Sequence, residues 1–206
     1  MQIQILLYDG CDELDAIGPY EVFDYAGEMG ADIRVEYVTL TPVDGVTASH
    51  GTQLDVDEVL ADPDFESAPD LLVVPGGGWN DRDDDASAWA EAQRGEIPQA
   101  LAEYDDAGHR LASVCTGGML LAEAGVTDGR PAVTHAGATE DLRETGAEVV
   151  DARVVDDGDL LTAAGVTSGL DLALHVVEEA AGGTVAAQVS EVIEYDRRHE
   201  IHTQSS

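Results

Sequence analysis

The stretch LASVCTGGMLLAEAG, Leu111–Gly125, decides how the rest of the chain reads. Leu111–Val114 is an apolar run of the length of a buried strand end, and Met119–Ala124 has the composition of the first turns of a helix. Cys115 stands at the corner between them, followed by a threonine and two glycines. Such a corner aims a side chain out of the sheet and offers the amides of the helix start to a developing anion. It is a poor place for a thiol that serves only as core filler and a good place to present one.

Outward from this unit, strand-like and helix-like segments alternate. Gln2–Tyr8, Ile33–Thr39 and Leu71–Val74 read as further strands, and Leu14–Glu28, Glu140–Glu144, Gly169–Glu179 and Thr184–Tyr195 as helices. A long helical stretch, Ala86–Ala107, is expected to break at Pro98. Val46–Val56 reads as a hairpin or short edge strands. Ala132–Thr134 reads as a strand, and Arg153–Val155 and Leu160–Ala163 as a pair across the Asp157-Gly158 turn. This alternation predicts an α/β fold, a mainly parallel sheet with helices on both faces. At 206 residues the chain suits one domain, 1–206, and a second core would be cramped.

The charge is extreme: 43 acidic residues face 9 basic ones, for a formal net charge of −34. Every basic residue is an arginine. The acids are scattered among apolar positions, so the chain reads as a folded protein with an anionic surface and not as a disordered acidic tail. Such a surface suits concentrated salt, where screening suppresses self-repulsion, and points to halophilic adaptation. It also argues against nucleic acid and anionic membranes as partners. The start, MQIQILLYDG, lacks the basic region of a signal peptide, and no apolar run approaches the roughly 20 residues that cross a bilayer. The expected compartment is the cytoplasm, with Cys11 and Cys115 as free thiols.

Ligands of open α/β sheets bind outside the carboxyl ends of the strands. Three strand ends here carry unusual residues: DGCDELD brings Asp15 to the start of the first helix, another strand runs into Pro75–Gly78, and a third ends at Cys115. Cys115 is the candidate nucleophile, its pKa expected to be lowered by the helix start. Glycines 76 to 78 let backbone approach a ligand closely, and one of their amides could join that of Thr116 in an oxyanion hole. Asp15 could share a proton with the thiol and act as acid or base. Each residue also has a bland reading: a packed thiol, an exposed acid, a tight turn. The acidic run Asp81–Asp85 is no calcium loop, since Ala86 and Ala92 stand where an EF-hand counted from Asp81 needs glycine and glutamate.

Together LDAIGPYEVF, LLVVPGGG, SVCTGGMLLAEAG and LTAAGVTSGLDLALHVVE resemble the ThiJ/PfpI family of class I glutamine-amidotransferase-like proteins, over nearly the whole chain. Within it, the D-x-x-G-P, C-T-G and A-G-V-T-S-G-L-D segments are similar to the isonitrile hydratase branch and to sensor domains of some transcription regulators. The resemblance implies a flavodoxin-like three-layer sandwich, a homodimer, a small-molecule substrate, and no obligatory cofactor or metal. It places Cys115 on the nucleophile, Asp15 on its acidic partner, and Gly77 and Thr116 on the oxyanion-hole amides. In that branch the thiolate attacks the isocyano carbon and water releases an N-substituted formamide.

Two departures matter. Protease-like members have histidine directly after the nucleophile, and Thr116 stands there instead. The hydratase branch usually follows Thr134–His135 with tryptophan, and here Ala136 follows. His135 could orient substrate or thiol, although a strand-end histidine bonded to backbone is the favoured reading. For Ala164–Asp171, close strand–helix packing is favoured over ligand binding, and Cys11 reads as a bystander.

The resulting expectation is a cysteine-dependent hydratase or hydrolase of a small electrophile. The alternatives are a non-catalytic redox or small-molecule sensor read through Cys115, and glyoxalase-like aldehyde chemistry. A stand-alone DNA-binding regulator is disfavoured because no helix-turn-helix segment follows the sandwich before Ser206.

The charge generates its own test. Removing salt lengthens the screening distance and raises repulsion within the fold, so the melting temperature should fall steeply from molar to dilute salt. A melting temperature independent of salt overturns the halophilic reading.

Overall fold

The computed structural model describes residues 1–198 and 201–203. In chain order the strands are β1 (Gln2–Leu6), β2 (Arg34–Thr39), β3 (Gly45–Thr47), β4 (Gln53–Asp55), β5 (Glu58–Val59), β6 (Leu71–Val74), β7 (Arg110–Val114), β8 (Pro131–Ala132), β9 (Glu148–Val149), β10 (Val154–Asp156), β11 (Leu160–Ala163) and β12 (Ile201–Thr203). The helices are α1 (Glu13–Glu28), α2 (Ala88–Arg94), α3 (Glu96–Asp106), α4 (Gly117–Glu123), α5 (Thr139–Arg143), α6 (Ser168–Ala181) and α7 (Gly183–Val192).

The large sheet has the order β12-β10-β11-β7-β6-β1-β2-β5. From β11 to β5 all neighbours are parallel; β10 turns back antiparallel on β11, and β12 runs parallel to β10. All four residues of β6 and of β11 are buried, as expected of strands covered by helices on both faces. Register pairs Ile5 with Val73, Val73 with Ala112, and Val114 with Ala163. The carboxyl ends of β1, β6, β7 and β11 therefore lie on one edge.

Local chemistry fixes the elements that lead to this edge. Asp12 caps α1, its Oδ1 accepting from the Leu14 amide at 3.0 Å. α1 lies against α6 through small residues: a Cβ on Gly18 would meet Leu170 Cδ2 at 3.3 Å, and one on Gly169 would meet Val114 Cγ1 at 3.0 Å and Pro19 Cγ at 3.3 Å. The glycines of LDAIGP and SGLD thus serve close packing, the latter as expected from sequence.

Most elements stand where the sequence placed them, including the hairpin β3–β4 and the antiparallel pair β10–β11. The long helix breaks elsewhere than expected. Gly95, left-handed at φ 81°, ends α2 and starts α3, while Pro98 sits inside the first turn of α3, where its missing amide costs no helical bond. The strand expected at Ala132–Thr134 is only Pro131–Ala132, and it pairs with β9 off the main sheet. β5, β9 and β12 are two or three residues each and carry no periodicity long enough to read.

The β6 and β7 ends cross backbone on backbone: a Cβ on Gly117 would lie 2.0 Å from the Val74 carbonyl oxygen, and one on Gly76 would lie 2.4 Å from the Thr116 amide nitrogen. Gly117→Ala should lower the melting temperature by several degrees, the order expected of overpacking a close-packed crossing. Gly108→Ala is the comparison: it meets only the strain of φ 81° with open space around it, and should cost less. Equal melting temperatures for the two variants would refute the crossing as a packing constraint.

Candidate active site

The three strand ends are tied together by hydrogen bonds. Asp15, wholly buried in the first turn of α1, receives the Gly76 amide on Oδ2 at 3.0 Å. The Gly76 carbonyl in turn accepts the Asp12 amide at 2.7 Å. Gly77 donates its amide to Thr116 Oγ1 at 2.9 Å, joining the glycine loop to the corner after Cys115. The Tyr8 hydroxyl donates to the Pro75 carbonyl at 2.9 Å from a buried position. Its phenol is pushed up by burial and by Cys11, Asp15 and Cys115, so Tyr8 braces the loop as a neutral group.

Cys115 adopts φ 58°. A non-glycine residue in the left-handed region at a strand-to-helix turn is strained, and the surroundings hold it there. Its amide donates to the carbonyls of Ala163 at 3.1 Å and Ala164 at 2.9 Å, and its carbonyl accepts Thr134 Oγ1 at 2.9 Å. The side chain is 7% exposed. The amides of Thr116 and Val166 lie toward its sulfur and favour the thiolate. Val166 is itself strained, at φ 33°. Sequence reading missed Val166, and its only signal was the turn AGVTSG between a strand and a helix.

The electrostatics reverse the expected direction for the thiol. Burial pushes Cys115 up to about 12, the Asp15 charge adds to this, and the two amides only partly offset it. Burial likewise raises Asp15 to about 7, with the Asp12 charge adding and the Gly76 amide and the Cys115 thiol opposing. Asp15 Oδ1 has no hydrogen-bond partner. A buried carboxyl with one unsatisfied oxygen is a place where a proton resides. Across neutral pH the carboxyl and the thiol form one coupled unit rather than two independent groups.

The other expected site residues divide. Thr116 lies at the corner with its amide on the thiol, whereas the Gly77 amide is taken by Thr116 Oγ1 and braces the loop. The amides that favour the thiolate are thus those of Thr116 and Val166. His135 precedes a short helical turn, and its Nδ1 accepts the Gly137 amide at 3.0 Å; the ring packs against Gly165, whose Cβ would meet His135 Cδ2 at 2.7 Å. Cys11 is fully buried, unpaired, and pushed up to about 12 by burial.

A cleft of about 460 Å³ opens beside the site, lined by Gly10, Asp12 and Gly78 together with Asp9, His50 and Asp81. Among the described residues one cluster has metal-ligating spacing: Asp156, His175 and Glu179, with ligand atoms within 4.8 Å of one another. It lies at the opposite, amino-terminal edge of β11 and is held as an ion-pair network by Arg110. No described helix is long and apolar enough to cross a membrane.

Residues 1–179 match the DJ-1/PfpI family. The chain belongs to that family. It is 34% identical over 200 residues to an isonitrile hydratase of Pseudomonas putida, covering 95% of this chain and 78% of that protein. It is 30% identical to the deglycase TK1284 of Thermococcus kodakarensis, covering 77% and 86% of the two chains. A crystal structure of a ThiJ/PfpI family protein from Pseudomonas syringae superposes with a TM-score of 0.80 at 30% identity, over 96% of this chain and 76% of the other. The flavodoxin-like sandwich is therefore the fold of this DJ-1/PfpI protein.

The coupled pair predicts a pH signature. Below about 7 the pair carries two protons, so Cys115 alkylation by iodoacetamide should fall as pH drops through that value. Above it, with one proton shared, the rate should level until the thiol itself titrates. Asp15→Asn should abolish the step near 7 and, by removing a neighbouring charge, let the thiol ionise at lower pH. Cys115 should label before the fully buried Cys11. Labelling of both thiols only on denaturation, or a profile unchanged by Asp15→Asn, defeats the pairing.

Proposed function

We propose that this protein is a cysteine-dependent hydratase of small electrophiles, with isonitriles as the substrate class. The observation that supports this most is Asp15: a wholly buried carboxyl raised to about 7, one oxygen on the Gly76 amide and the other unsatisfied, placed beside the Cys115 thiol. Hydration of an isonitrile needs a nucleophile for the terminal carbon and a proton for that same carbon, and this pair supplies both. The similarity to an isonitrile hydratase points the same way.

The thiol passes its proton to Asp15 as the sulfur bonds to the isocyano carbon. Asp15 then protonates that carbon, leaving a thioimidate on Cys115. Water adds to the thioimidate carbon, its one proton going to nitrogen. The carbon–sulfur bond breaks, the hydroxyl proton returns to the Asp15–Cys115 pair, and an N-substituted formamide leaves with the pair restored. The Thr116 and Val166 amides stabilise the thiolate where it forms and where it departs. A Cys–His peptidase is disfavoured, because Thr116 follows the nucleophile and the His135 Nδ1 is occupied by Gly137. The same reading takes residues 1–206 as one domain, acting as a cytoplasmic homodimer without cofactor in concentrated salt.

Turnover of an isonitrile panel in molar salt tests the proposal, with methylglyoxal and peptides as competing substrate classes. Cys115→Ser should abolish isonitrile turnover, and Asp15→Asn should lower kcat about a hundredfold, the order for losing a general acid. Asp24→Asn, on the exposed face of α1, should stay near wild type. Turnover of methylglyoxal alone, or Asp15→Asn matching Asp24→Asn, overturns the assigned chemistry.

A further inference from the structure

Opposite the thiol, on the far side of the AGVTS turn, lies a second buried charge network that the proposed chemistry does not use. Asp171 in α6 is wholly buried. Its Oδ2 accepts the Arg153 guanidinium Nε and, at 2.8 Å, the Tyr195 hydroxyl; its Oδ1 accepts the Arg198 amide at 2.8 Å. Arg153 Nη2 reaches both Tyr195 Oη and Thr167 Oγ1 at 3.1 Å. The Arg153 carbonyl accepts the Ala164 amide at 3.0 Å, and the Ala164 carbonyl accepts the Cys115 amide at 2.9 Å. Arg153 therefore grips the turn on both sides of Val166, through main chain at Ala164 and side chain at Thr167.

Replacing a buried ion pair with well-packed apolar groups is often neutral or stabilising, so such a pair is weak evidence of a role in stability. In a chain with nine arginines and 43 acids, most acids have no arginine of their own, yet this one is committed to a buried carboxylate beneath the turn. The strained Val166 amide, at φ 33°, is what the two grips flank.

We propose that Arg153 and Asp171, with Tyr195 and Thr167, are positioning residues that hold the Val166 amide on the Cys115 sulfur. The inference rests on Cys115 as the nucleophile for its catalytic consequence, but its first readout is the thiol itself. Loss of one charge-assisted hydrogen bond to sulfur corresponds to about a tenfold change in thiolate population.

The test is the pH profile of Cys115 alkylation, followed by kcat and KM. Asp171→Asn and Arg153→Lys should slow alkylation about tenfold at fixed pH and shift its profile upward. They should lower kcat with KM little changed. Thr167→Val cuts only one grip at an exposed position, so it should fold normally and slow alkylation by a few-fold. Variants that lose melting temperature while Thr167→Val keeps the wild-type alkylation profile would overturn the proposal and leave the network purely structural. Shifted alkylation in a protein that hydrates no isonitrile would uphold the positioning role and reject the substrate class instead.

Discussion

The amide of Gly76, 3.0 Å from Asp15 Oδ2, is the contact on which the site depends. It joins the first turn of α1 to the end of β6, and it can do so only because β6 and β7 end in glycines that let two backbones cross within a distance no side chain would permit. Remove the crossing and the Thr116 corner moves off the glycine loop, taking the Gly77–Thr116 bond with it. The carboxyl would then lose its backbone donor while still buried, a state that costs free energy unless it protonates. The geometry and the proton affinity of the site are therefore one constraint.

That constraint explains what could be read in the sequence and what could not. LLVV before PGGG and LASV before CTGG are runs of apolar residues closed by residues that only a turn needs, so the parallel strands and their shared edge were legible. So was Asp15, from its place at a helix start on that edge. The direction of the Cys115 pKa was not. The helix start argues for a lower value, and the deciding quantity, burial to 7% exposure beside another acid, is a property of packing that no spacing reveals. The role of the Gly77 amide was hidden for a similar reason: whether an amide faces a ligand or a neighbouring threonine depends on the rotamer of Thr116. Gly95 breaking the α2–α3 stretch in place of Pro98 shows the limit of composition, since a proline in the first turn of a helix is compatible with it and a left-handed glycine is not.

The arginines follow a pattern of their own. Arg130 meets Asp157 at 2.6 Å and also reaches Asp159 and Asp105, Arg110 meets Glu179 at 2.7 Å, and Arg82 meets Asp141 at 2.9 Å while lying 4.2 Å from the Trp89 ring centroid. Each guanidinium knits segments distant in sequence, where a planar multidentate group does what an ammonium cannot. The more exposed of these pairs, such as Arg82–Asp141, contribute little individually, and less as salt rises. Their value in so acidic a chain is local neutralisation at points where loops must meet, which leaves the remaining acids to the solvent.

The Asp15–Cys115 pair fits carbon protonation better than an imidazole–thiol pair would. An imidazole beside a thiol favours the separated ions, a standing thiolate that also reacts with oxidants. Here both groups are raised by the same burial, so above about 7 the pair rests as carboxylate and thiol, and the thiolate forms together with a protonated carboxyl. Nucleophile and acid then appear in the same instant and at the same place. In the proposed chemistry, an electrophile whose terminal carbon accepts both a sulfur and a proton meets its two reactants at once. For the proposed addition of S and H to one carbon, the burial that suppresses the free thiolate is thus the feature that keeps nucleophile and acid paired.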